Sequence, residues 1–122
     1  MAVTIGPYSP WRRAGDLVVI SGQLGVVPGA SGPGFVDDTA AGQLRQALAN
    51  ARVVLAEAGA TPEQVIKGTL FLVDMADFGA CNEVWTEFFT DPRPTRSAVA
   101  VAQLPLGARA EVELWAHAPV HH

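Results

Sequence analysis

Residues 65–89 read VIKGTLFLVDMADFGACNEVWTEFF, and the change of period inside this stretch decides the architecture. Its first part, Val65 to Val73, mixes β-branched and apolar residues in the manner of a strand. Its second part switches to helical spacing: Phe78, Cys81, Trp85, Phe88 and Phe89 recur at three and four residues and form one apolar stripe. The spacing predicts a helix from about Asp74 or Met75 to Phe89. Asp74 is its expected cap, and the Asp91-Pro92 pair ends it, because the residue before a proline disfavours helical backbone.

Upstream, Leu44, Ala47, Leu48, Ala51, Val54, Leu55 and Ala58 form a second apolar stripe, which predicts a helix from about Thr39 to Ala58. Asp38 or Thr39 caps its start, and Gly59 stands where a left-handed terminating residue belongs. Thr61-Pro62 begins a short helical turn. Leu17-Val18-Val19-Ile20 is continuously apolar, as expected of a strand covered on both faces. Trp11 to Ala14 pairs with it through a Gly15-Asp16 turn, and the Gly- and Pro-rich run from Pro28 to Gly34 is a loop. Downstream, Ser97 to Gln103 alternates, with Ser97, Val99, Val101 and Gln103 on one face and Ala98, Ala100 and Ala102 on the other. Ala110 to His117 also alternates, setting Glu111, Glu113, Trp115 and His117 opposite Ala110, Val112, Leu114 and Ala116. The order strand, strand, helix, strand, helix, strand, strand gives an α+β fold in which two helices cover one face of a mixed sheet. The small alanines of the Ser97 strand suit close packing beneath the helices. The other sheet face is left open in a monomer, so oligomerisation is expected to cover it.

The chain has 122 residues, 49% of them apolar or aromatic and 16% charged, which suits one domain over residues 1–122 with a core of its own. Eight Lys and Arg against twelve Asp and Glu give a net charge of -4, with no basic run. That balance counts against nucleic-acid binding, which needs several phosphate-neutralising cations on one face. The single cysteine, Cys81, makes no internal disulfide, so the cytoplasm is the expected compartment. No apolar stretch approaches the ~20 residues of a membrane span, and the N-terminus has no leader pattern.

The candidate chemistry is sparse. His117, His121 and His122 lie together at the C-terminus without metal-ligand spacing, so no metal site is expected, and the last two read as a tag remnant. Ser21-Gly22-Gln23 follows a strand but lacks the GxSxG elbow of a serine hydrolase. Cys81 sits on an apolar helical stripe, where a buried structural thiol outweighs a nucleophile. Arg96 stands before an otherwise uncharged strand and after the rigid Pro92-Arg93-Pro94 segment. Its planar fork suits bidentate capture of a small carboxylate, while the plainer reading is a surface arginine satisfying loop carbonyls. Glu111 and Glu113 share a strand face, either as a solvated or interface edge or as a carboxylate that positions water.

Several segments then occur in order with fitting gaps: Ile5-Gly6-Pro7-Tyr8-Ser9, Ile20-Ser21-Gly22-Gln23, the block Gly68 to Phe78, Asn82-Glu83-Val84 and Pro94-Thr95-Arg96-Ser97. Together they resemble the reactive intermediate deaminase A (RidA/YjgF) family across essentially the whole chain. The resemblance implies a chorismate-mutase-like fold and a homotrimer whose sheets pack into a central barrel, with clefts between neighbouring subunits. It implies that Arg96 grips a substrate carboxylate, that Glu111 holds the attacking water, and that Tyr8, Ser21, Gly22, Asn82 and Ala98 line the cleft. Ala98 stands where many members have cysteine, so any role there belongs to its backbone. Gln103 replaces a common arginine, and Pro10-Trp11 replaces a smaller, more polar pair. The implied reaction is hydrolysis of 2-imino acids, such as 2-iminopropanoate and 2-iminobutanoate, to 2-keto acids and ammonia without metal or cofactor. The alternatives are a non-enzymatic trimer that binds keto acids for regulation, and a deaminase of a different imine or enamine in a dedicated pathway. The ribonuclease label also used for the family sits poorly with the acidic charge.

Overall fold

The computed structural model describes residues 4, 6–29 and 34–120. Ile5 of the first segment, residues 30–33 of the expected loop, and the His121-His122 pair lie outside the described residues. Five strands and two α-helices follow in the expected order: β1 (Trp11–Ala14), β2 (Leu17–Leu24), α1 (Ala40–Glu57), β3 (Val65–Leu72), α2 (Phe78–Phe88), β4 (Thr95–Ala100) and β5 (Ala110–His117). They form one sheet in the order β1-β2-β5-β3-β4. β3 and β4 run parallel and the other pairs antiparallel, so the sheet is mixed. The parallel pair needs a crossover, and α2 supplies it.

Each boundary has a local cause. Thr39 caps α1 by accepting a hydrogen bond from the Gly42 amide, and Gly59 follows the helix at a φ of 83°, a conformation glycine adopts without the steric cost a side chain brings. The expected second helix is divided. Asp74 accepts from the Ala76 amide and caps a 3₁₀ turn over Met75–Asp77, and the α-helix begins only at Phe78. β2 continues past Ile20 to Leu24, with an irregularity in its pairing to β5 between Ile20 and Gln23. Ser21 and Gly22 are therefore part of the strand. β4 begins at Thr95, earlier than the alternation suggested, and ends at Ala100. Its partner β3 stops at Leu72, opposite Ala100, and the last bond across the pair runs from the Val101 amide to the Leu72 carbonyl at 2.8 Å. Gln103 consequently lies beyond the strand, exposed.

The core lies between the helices and one sheet face. Leu44, Leu48 and Leu55 of α1 meet Val18 and Ile20 of β2, Leu70 and Leu72 of β3, and Val112 and Leu114 of β5, all essentially inaccessible. Full burial of each such side chain is worth about 1.5–3 kcal/mol. Trp11, paired with Ile20, packs its ring against this core. Two polar residues of α1 pin neighbouring segments. Gln43, 2% exposed, donates to the Asp37 carbonyl at 3.0 Å and accepts from the Arg109 amide at 2.8 Å. Asn50 donates to the carbonyls of Leu24 and Val26, at 3.0 and 2.9 Å, and so fixes the end of β2. Among the described residues no helix covers the opposite sheet face. It leaves Val99 41% and Trp115 37% exposed, with the Lys67 ammonium 4.5 Å from the centre of the Trp115 ring.

Candidate functional site

The sequence-predicted residues fall into two groups. The first is built on β4 and α2. Arg96 is paired with Gly68 in the parallel register, so it belongs to the strand and its direction is fixed by strand alternation. It shares its face with Ala98, which packs against the core, and it points toward α2. There its guanidinium carbon lies 5.3 Å from the centre of the Phe78 ring and 5.1 Å from that of Trp85. Both distances are in the range of cation–π attraction. Among the described residues no carboxylate pairs with Arg96 and no hydrogen bond engages it, so its fork of donors is unused. Burial pulls its pKa down, an effect partly offset by the sulfur of Cys81. Asn82 follows Phe78 by four residues and precedes Trp85 by three, which sets it on the same side of the helix. Its Oδ1 is buried without a hydrogen-bond partner. An unsatisfied buried acceptor costs about 1–3 kcal/mol, a deficit that an N–H from a ligand or another chain would remove. Cys81, fully buried beside this group, has its thiol pushed up to about 11, chiefly by burial and secondarily by Asp77, so it is protonated and unreactive.

The second group is built on β2, β5 and the segment before β1. Ser21 donates its hydroxyl to the Ser9 carbonyl at 2.6 Å, and its amide bonds the Pro10 carbonyl at 2.9 Å. These two bonds tether the segment that carries Tyr8, which is 44% exposed. Glu111 alternates with the buried Ala110 and Val112, so it lies on the sheet face away from the helices. The irregularity at Ser21–Gly22 brings the β2 backbone close to it. A Cβ added at Gly22 would stand 2.5 Å from Glu111 Oε2 and 2.9 Å from its carboxyl carbon. The absence of a side chain at Gly22 thus makes room for this carboxylate. Such irregularities commonly re-aim side chains at functional sites. Burial, and then the like charge of Glu113, raise the pKa of Glu111 above the usual carboxylate value, which makes it a stronger base once ionised.

The two groups do not meet within one chain. Arg96 and Glu111 occupy opposite faces of the sheet. Arg96 aligns with Gly68 and Gly68 with Leu114, which is three residues from Glu111 along β5. Two strand spacings of ~4.8 Å and three residues of ~3.3 Å set their Cα atoms roughly 14 Å apart. A four-carbon acid cannot touch both. The sequence reading singles out Arg96, Asn82 and Glu111 as candidates and treats Phe78 and Trp85 only as a core stripe. The signal for their second role was available, because Arg96 has the same strand parity as the alanines expected beneath the helices. Among the described residues no three His, Cys, Asp or Glu side chains converge as a metal would require, and no helix is long and apolar enough to cross a membrane.

Known proteins resemble this chain in sequence and in fold. A family model described as endoribonuclease L-PSP matches residues 1–118. The chain is 40% identical over 109 residues to "Reactive Intermediate Deaminase A, chloroplastic" of Arabidopsis thaliana, covering 89% of this chain and 57% of that protein's length. It is 43% identical over 112 residues to the 2-iminobutanoate/2-iminopropanoate deaminase of Capra hircus, covering 89% and 78%. Among solved structures, E. coli TdcF with bound serine superposes with a TM-score of 0.83 at 36% identity, covering 93% of this chain and 90% of that one.

Proposed function

The chain belongs to the endoribonuclease L-PSP (RidA/YjgF) family, and from that premise we propose that it hydrolyses small 2-imino acids to 2-keto acids and ammonia. The observation that carries this reading is the guanidinium of Arg96, held against two rings with its donors unused among the described residues, which suits it as a receptor for a small carboxylate. Relatives named 2-iminobutanoate/2-iminopropanoate deaminase, at about 40% identity, support the substrate class, and the serine in TdcF is a ligand of the same size and charge pattern.

In the proposed step the substrate carboxylate receives two N–H groups from Arg96, and Glu111 accepts a proton from a water as its oxygen bonds to C2. The π electrons of the C=N bond move to nitrogen, giving a carbinolamine. Glu111 returns the proton to nitrogen; the hydroxyl proton then passes by way of Glu111 to the same nitrogen as the C–N bond breaks, so that ammonia leaves with the bonding pair and the C2–O bond becomes the ketone. Imines already hydrolyse in water, so fixing substrate and water suffices and the step uses no cofactor and no metal. The raised pKa of Glu111 supports its part, since a base works best with a pKa near the working pH.

Because Arg96 and Glu111 lie on opposite faces of the sheet, the proposal includes a second copy. One protomer contributes Arg96, Asn82 and Ala98, and its neighbour contributes Tyr8, Ser21, Gly22 and Glu111 across the cleft. The open sheet face, with Val99 and Trp115 uncovered, supports a homotrimer in which that face is closed. Light scattering should return three times 12.8 kDa. The proposed location is the cytoplasm. A nuclease role finds no support in a chain of net charge -4 without a basic run.

The deciding experiment generates 2-iminopropanoate and 2-iminobutanoate with an amino-acid oxidase and traps surviving imine with semicarbazide. The protein should lower the semicarbazone signal and raise keto acid and ammonia together. An unchanged signal, with 2-ketobutanoate still bound, would favour the regulatory binding trimer instead.

A further inference from the structure

Among the described residues the Arg96 side chain is held by packing alone, and that packing is built from a specific backbone feature. Gly68 sits directly beside Arg96 in the β3–β4 register. A Cβ at Gly68 would stand 2.6 Å from Trp85 Cη2 and 3.1 Å from both Trp85 Cζ2 and Leu114 Cδ2. The indole therefore rests on bare β3 backbone, at a depth no other residue at position 68 allows. Trp85 is 4% exposed. It is braced from behind by Phe89, whose ring centre is 4.7 Å away, and Phe89 in turn meets Phe88 edge-on at 4.8 Å. Phe78, one helical turn before Asn82, also contacts the guanidinium, its ring centre 5.3 Å away.

From this geometry we propose that Trp85 and Phe78, seated through Gly68, are positioning residues that hold the Arg96 guanidinium in its receiving orientation before a carboxylate arrives. The inference rests on the carboxylate-binding reading of Arg96 given above. An arginine with no acceptor of its own would otherwise sample many rotamers, and freezing them on binding would weaken affinity. Rings on its flanks restrict that freedom while leaving the N–H edges open, because the attraction runs through the guanidinium face. The clamp therefore tunes how tightly ligand is held and leaves the chemistry at C2 to other groups.

The test measures three quantities on the full-length protein: 2-ketobutanoate affinity by calorimetry, KM and kcat for imine hydrolysis, and the NMR shift of the Arg96 Nε–H, identified by its disappearance in Arg96→Lys. In the parent, ring currents should move that resonance from the ordinary arginine position. Trp85→Leu and Phe78→Leu should each return it toward that position and raise Kd and KM together by about 3- to 30-fold, the scale of a partly desolvated cation–π contact. kcat should stay within about twofold, the pattern of lost uniform binding. Trp85→Phe keeps a ring and should recover most of the affinity. Gly68→Ala should mimic Trp85→Leu, and combining it with Trp85→Phe should restore affinity, because a phenyl lacks the atoms the new methyl would strike. Circular dichroism identifies variants that fold, and if Trp85→Leu does not, Phe78→Leu at its half-buried position decides the matter. Folded Leu variants that match an active parent in Kd, or a Trp85→Phe as weak as Trp85→Leu, would overturn the clamp alone. A parent that neither binds 2-ketobutanoate nor hydrolyses imine would overturn the deaminase reading and this inference with it.

Discussion

Replacing Arg96 with lysine separates charge from geometry at the point where the proposed substrate is held. The guanidinium lies 5.1 and 5.3 Å from two ring centres and contributes no hydrogen bond to the fold among the described residues, and the burial of its charge offsets the ring attraction, so its removal has little structural cost. Lysine keeps the positive charge but offers a single ammonium where two parallel N–H groups faced the carboxylate. One charged hydrogen bond is lost, worth about 1.5–3 kcal/mol. In kcat/KM that is about a 10- to 150-fold fall, read by the semicarbazide competition assay with imine generated in situ. Stability should barely change. A difference under about 0.5 kcal/mol moves Tm by less than about 2 °C in a chain of this size. Arg96→Met, which also removes the charge that burial disfavours, should have an unchanged or higher Tm and no measurable carboxylate affinity. An Arg96→Lys variant within twofold of the parent in kcat/KM would refute the fork argument, and an Arg96→Met variant that still binds 2-ketobutanoate would refute the site itself.

Further outcomes are expected at Glu111, Gly22 and Cys81. Glu111→Gln should lower kcat about 100-fold, the usual loss for an acid–base group, while Glu113→Gln costs less than about threefold. Since burial and Glu113 both raise the Glu111 pKa, the acid limb of the rate profile should lie above the ordinary carboxylate range and move to lower pH in Glu113→Gln. The linked stability effect has a definite sign: a carboxyl whose folded pKa is raised weakens the fold when ionised. Glu111→Gln should therefore raise Tm at alkaline pH, with the gain vanishing as pH falls below the Glu111 pKa. Gly22→Ala puts a methyl 2.5 Å from Glu111 Oε2, which displaces a flexible carboxylate at little cost to Tm but lowers activity about 10- to 100-fold by misplacing it. The Cys81 thiol, buried and pushed up to about 11, should resist thiol reagents at pH 8 in the folded protein and react fully in denaturant.

Much of this arrangement is written in local pattern. The helical stripes of α1 and α2 and the alternation of β5 are determined by residues near in sequence, and the structure reproduces them. What local pattern does not contain is the partner. The Ser97 alternation continues to Gln103, yet β4 stops at Ala100 because β3 ends opposite it. Ser21 and Gly22 read as the end of a strand, yet pairing with β5 carries β2 to Leu24. Gln43 and Asn50 hold backbone 24 to 66 residues away, contacts that the helical period of α1 does not contain. Arg96 and Asn82 stand out as candidates through the ordered motifs, and Glu111 through the strand face it shares with Glu113 and the family resemblance. That Arg96 and Glu111 lie on opposite faces follows from strand parity only after the β3, β4 and β5 registers are known. Trp85 and Phe78 carry the same apolar signature whether they fill a core or clamp a cation, so the distinction lies in the strand parity of Arg96 and in the bare Gly68 backbone beneath the indole.

The division of Arg96 and Glu111 between the two sheet faces also has a genetic meaning. If every working cleft takes one residue from each of two neighbours, two alleles that are each dead alone can restore one another. An Arg96→Met chain keeps Glu111, and a Glu111→Gln chain keeps Arg96. In a one-to-one mixture assembling at random into closed rings, about a quarter of the junctions join the intact half of one to the intact half of the other. Activity in this protein would then belong to junctions between chains, and it would disappear on dilution as mass action separates them, with each chain still folded.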